Sequence, residues 1–228
     1  MRQSWRQCQL KTFGILMSFN TDKRNSIKHP TEDFKQFLYE YFDETMIGGR
    51  REEDSSILMR LTGQEKEAAE QLILDNLGTK AEWLIRAAGN MKIKSAIPIL
   101  QNIFNTTTDL HTRMYIAKTL NDWIGFPDFV KILDHTMDKG SDFSKQDIVY
   151  YAIKLEKQDA LRLIFKGLQD KDSFVRWLAF DALTHYRKIP EQTFEQKKYY
   201  TGEEVYQDKT IFEQRLKTLR QEVEQEIK

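Results

Sequence analysis

Cysteine is nearly absent from this chain. The single Cys8 cannot close an internal disulfide, and 228 residues folding without one is the ordinary condition of a reducing compartment, so a cytoplasmic location is expected. Proline and glycine are scarce as well, at 4 and 10 residues, too few for the many tight turns of a β-sandwich. An excess of either charge is missing: 35 Lys and Arg balance 35 Asp and Glu, which removes the basic footprint of a general nucleic-acid binder. Long apolar runs are missing too. The longest uncharged stretch, Ser95 to Thr108, ends in four polar residues, short of the ~18 to 20 apolar residues a membrane span needs, so a soluble protein with no membrane partner is expected. What is present is 40% hydrophobic and 12% aromatic residues, enough for a packed core and too much for a disordered chain.

Arg2, Arg6 and Lys11 precede Phe13-Gly14-Ile15-Leu16-Met17, but this apolar core is short for a signal peptide and no small-residue cleavage site follows Met17. Residues 1–30 are therefore expected to be a disordered extension, with Met17 as an alternative start. From Thr31 the period of 3.6 takes over. Phe34, Phe37, Leu38, Tyr41 and Phe42 form the stripe of a helix that buries one face, and Gly48 to Asp54 then reads as a charged loop. Thr62 to Glu65 and Thr79 to Glu82 each have the spacing of a capping box, predicting two short amphipathic helices that meet at Gly78.

That hairpin recurs. Its second helix is matched at Thr112–Leu120, Val149–Leu155 and Val175–Leu183, with Ala88, Leu120, Leu155 and Leu183 as equivalent anchors at a mean period of about 32 residues. First helices fall at Ala96–Phe104, Phe129–Leu133 and Ala160–Leu168. The implied fold class is all-α, an α-solenoid of helical hairpins. The tail is expected to run helical through Val205, Ile211, Phe212, Leu216, Leu219 and Val223 and to cap the last hairpin, so residues 191–228 form a C-terminal capping region.

Two segments carry a family resemblance. Ala88-Gly89-Asn90-Met91-Lys92-Ile93-Lys94-Ser95-Ala96-Ile97-Pro98-Ile99-Leu100 resembles the HEAT-repeat signature of a small-residue helix end, a short turn and a new helix start. Leu168-Gln169-Asp170-Lys171-Asp172-Ser173-Phe174-Val175-Arg176 resembles its complementary turn. The likeness covers roughly residues 62 to 187 and is closest to the short bacterial HEAT-like and bilin-lyase-type repeats. It departs around Gly125-Phe126-Pro127, which adds a residue, and in the third repeat, which lacks the Val-Arg pair. The resemblance implies that residues 31–190 form a HEAT-like repeat domain with an N-terminal capping helix. It also implies that Asp170 or Asp172 caps the following helix, and that Arg176 pairs with an Asp of a neighbouring repeat.

The resemblance further implies that the second helices line a concave face. Residues projecting from it would be Glu82, Arg86 and Asn90; Met114, Lys118 and Asp122; Tyr150 and Lys154; and Trp177, Asp181 and His185. Of these, Arg86, Lys118, Asp122, Tyr150, Lys154, Trp177, Asp181 and His185 are the candidate binding residues. Aromatic side chains mixed with both charges suit another protein better than a phosphate track. The expectation is a noncatalytic, monomeric protein-binding scaffold or adaptor, and a toxin-neutralising immunity protein is one role the resemblance suggests. The alternative is a HEAT-like enzyme of the alkylpurine DNA glycosylase type, to which Trp177 and Asp181 would be suited. Neither a metal nor another cofactor is expected, because His29, His111, His135 and His185 are far apart and the chain contains no phosphate-loop or nucleophile-elbow motif. Cys8 has no neighbourhood that would activate it, and Glu52-Glu53-Asp54 read as solvated charges.

Overall fold

The computed structural model describes residues 27–42, 55–186 and 201–226. The expectations for residues 1–26, Cys8, the Gly48–Asp54 loop and residues 191–200 lie outside these described residues. Helices make up the ordered structure, no strand occurs among the described residues, and no helix there is long and apolar enough to cross a membrane. The chain divides into two compact units, residues 1–108 with 115–127 and residues 109–114 with 128–228.

The first unit contains α1 (Glu32–Phe42), α2 (Ser56–Arg60), α3 (Gly63–Asn76), a 3-10 turn (Leu77–Thr79), α4 (Glu82–Asn90), α5 (Ala96–Thr106) and most of α6 (Leu110–Ile124). The aromatic stripe of α1 is buried as its spacing predicts. Phe37 sits at the centre, with ring centroids 5.8 Å from Phe34, 5.2 Å from Tyr41 and 5.6 Å from Phe42. The indole of Trp83 in α4 donates to the Tyr41 carbonyl at 3.1 Å, satisfying an acceptor that the end of α1 leaves open. Gly89 allows close packing of α4 on α6. A Cβ there would lie 2.5 Å from Thr119 Cγ2, so any side chain on Gly89 would force that methyl group aside.

Both predicted capping boxes are replaced by other bonds. Thr62 occupies the N-cap of α3 with no side-chain cap bond, and Glu65 instead accepts from the Thr31 backbone amide and hydroxyl, both at 2.7 Å. A carboxylate at N3 is free to choose the better donors, and the chain before α1 supplies two. Thr79 lies inside the 3-10 turn, donates to the Asn76 carbonyl at 2.7 Å, and leaves Ala81 as the N-cap of α4.

The second unit contains α7 (Phe129–Lys139), α8 (Asp142–Ala152), α9 (Lys157–Leu168), α10 (Ser173–Tyr186), α11 (Glu203–Gln207) and α12 (Lys209–Glu226). Here like packs on like: α7 lies against α9, α8 against α10, and α9 touches both α8 and α10. Gly167 marks where the last three meet, since a Cβ on it would stand 2.8 Å from Ala179 Cβ and 2.9 Å from Val149 Cγ2. Three helix starts share one capping pattern. Asp109 accepts from the Thr112 amide at 2.8 Å, Ser141 from Ser144 at 3.2 Å and Asp172 from Val175 at 2.8 Å, three caps roughly 30 residues apart. These caps align Leu120 and Leu183 with Ala152, whereas Leu155, the anchor expected from the sequence, falls beyond the end of α8. The spacing signal was misled because a partly buried leucine in the following turn is as apolar as the true interior alanine.

Asp172 caps α10, and Asp170 accepts from the Asp172 amide at 2.9 Å. The Asp170 carboxylate also receives Lys145 of α8 at 2.7 Å, with both side chains largely buried, so this turn is tied to the neighbouring hairpin by an ion pair. Arg176 is fully buried at 0% exposure. Its Nη1 donates to the carbonyls of Asp170 (2.9 Å) and Lys171 (2.8 Å), its Nε donates to the Thr201 carbonyl (3.1 Å), and its guanidinium lies 4.0 Å from the Tyr206 ring centroid. The tail therefore closes over the turn. In α12, Phe212, Leu216, Leu219 and Val223 are buried as predicted, while Ile211 remains exposed. Arg220 reaches 4.7 Å from the Phe165 centroid of α9.

Candidate functional site

A helix that packs on neighbours along one arc must leave the opposite arc to water. In α8 that arc carries Phe143, Asp147, Tyr150 and then Lys154 just past the helix end, at successive spacings of four, three and four residues. In α10 it carries Phe174, Trp177, Asp181 and His185. Helix α9 lies against both helices and they lie against each other, and on each the arc that these contacts leave uncovered carries these residues. Phe143 is 59% exposed, Tyr150 60% and Phe174 51%, large apolar groups left in water on the two neighbouring helices. Phe174 and Trp177 are stacked, with centroids 5.9 Å apart and ring planes 7° from parallel.

Five of the eight candidate residues thus fall on this face: Tyr150, Lys154, Trp177, Asp181 and His185. Lys154 is exposed and its ammonium stands 5.8 Å from the Tyr151 ring centroid. Trp177 and Asp181 are half-buried, and His185 is exposed. Phe143, Asp147 and Phe174 complete the face and were missed in the sequence. The signal was available, since Phe143 and Phe174 both stand two positions after an N-cap, an outward position that the misplaced third anchor concealed.

The other three candidates lie in the first unit. Arg86 and Lys118 converge on one buried ring, 5.8 Å and 5.7 Å from the Tyr115 centroid, and Arg86 also meets Glu82 at 3.5 Å. Asp122 is exposed one turn beyond Lys118, and Asn90 is exposed at the end of α4. Met114, expected to project outward, is buried. It sits at the edge of the outward arc, where an apolar side chain gains by turning into the core.

The opposite side of the second unit has a different chemistry. Lys166 of α9 bridges Asp134 (2.9 Å) and Asp138 (2.8 Å) of α7, and Arg162 meets Asp134 (3.5 Å) and Asp159 (3.1 Å). Burial disfavours the charged form of Lys166, but its contacts with Asp138 and Asp134 outweigh this and raise its pKa. Beside α8, His111 Nδ1 lies 2.9 Å from the Ser144 hydroxyl and its ring 5.5 Å from Phe143. Asp109, which starts the same helix as His111, is opposed by burial in ionising. Hydrogen bonds from the Thr112 hydroxyl and the Thr112 and His111 amides, together with the nearby His111 charge, outweigh that and hold its carboxyl below the usual range. Among the described residues no group of three or more His, Cys, Asp or Glu is placed to hold a metal ion.

No family model matches the chain, and it matches no curated protein and no solved structure.

Proposed function

We propose that this chain is a noncatalytic protein-binding module, a HEAT-like α-solenoid whose second helices present the binding face. The observation that carries the reading is the row of exposed aromatic side chains on the paired helices α8 and α10, Phe143, Tyr150 and Phe174 with Trp177 stacked on Phe174. Exposed aromatics grouped in this way mark an interaction site, because covering each ring stabilises a complex by about 1.5 to 3 kcal/mol. The like-on-like packing of α7 with α9 and α8 with α10 supports the repeat reading. In that reading the chain works as a monomer, since a second copy on the same face would compete with the partner.

The DNA-glycosylase alternative gains the nearness of Trp177 and Asp181 on α10, but the face as a whole offers Asp147 and Asp181 against Lys154, a poor match for phosphates. The test is capture of a partner by the full chain, by Phe174→Ala with Trp177→Ala, and by Lys131→Glu on α7. The paired aromatic variant should weaken capture by about tenfold or more, ~1.4 kcal/mol, with helicity unchanged, and Lys131→Glu should leave it intact. Equal capture by all three would refute the assignment of this face. Release of bases from alkylated DNA, abolished by Asp181→Asn, would refute the noncatalytic reading.

A further inference from the structure

We draw no further inference here: the strongest candidate, the exposed aromatic patch of Phe143 and Tyr150 on α8 and Phe174 on α10, belongs to the face already described, and nothing in the structure shows what covers it.

Discussion

Arg176 joins the tail to the last helical hairpin, and removing it tests that arrangement directly. Its side chain is fully buried and donates to three backbone carbonyls, two in the turn before α10 and one at Thr201. In Arg176→Met the stem volume is largely kept, the charge goes, and three carbonyls lose a donor. An unpaired acceptor costs about 1 to 3 kcal/mol where it is buried, as at Thr201, and less at the part-buried carbonyls of Asp170 and Lys171, while loss of the stacking on Tyr206 adds about 0.5 to 2 kcal/mol. Against this stands recovery of the desolvation penalty of a buried charge, several kcal/mol in its own right. The expected net loss is about 2 to 4 kcal/mol, with Arg176→Lys intermediate because a compact ammonium cannot address both sides of the turn at once. Urea unfolding followed by circular dichroism measures the total, and amide hydrogen exchange locates it: protection should fall first at Leu216 and Leu219 of α12, whose buried face relies on the closed tail. An unchanged midpoint with full protection of α12 would show that Arg176 does not hold the tail, and the reasoning would fail.

Two further predictions concern packing and pH. Gly167→Val should destabilise the second unit by about 1 to 3 kcal/mol, read as a lower urea midpoint, because even its Cβ would press on Ala179 and Val149 from two other helices. The carboxyl of Asp109 is held below its ordinary value, so its contribution is fully present above the unfolded-state pKa of about 4 and disappears as pH falls through the lower folded-state value. Asp109→Asn should therefore flatten the acid limb of the stability profile, and Thr112→Val should flatten it in part by removing the hydroxyl donor. Acid limbs that superimpose on that of the unaltered chain would contradict this account.

The sequence by itself determined the helices, because helical periodicity and N-capping are decided within one or two turns of chain. The stripe of Phe34, Phe37, Tyr41 and Phe42, a cap from Asp170 or Asp172 and the helical row from Phe212 to Val223 were legible for this reason, and Asp172 is the residue that accepts from the Val175 amide. The outward placement of Tyr150, Trp177, Asp181 and His185 followed from the same local arithmetic. Tertiary structure decided what depends on residues distant in the chain. Glu65 has the spacing of a capping box, yet its carboxylate bonds Thr31, because a carboxylate takes whichever donors packing brings to it. Leu155 and Ala152 are both apolar, and only the packing of α8 against α9 and α10 shows which one is interior. For Arg176 the resemblance implies an Asp partner, whereas its bonds to the backbone carbonyls of Asp170, Lys171 and Thr201 come into view only in the tertiary structure, where the tail, some 25 residues further on, closes over it. Periodicity states that a helix has a dry face and a wet one. Which aromatic side chains remain in water is settled by the neighbours that pack against that helix, and Phe143, with the His111 ring of α6 beside it, and Phe174, stacked on Trp177, each stay more than half exposed.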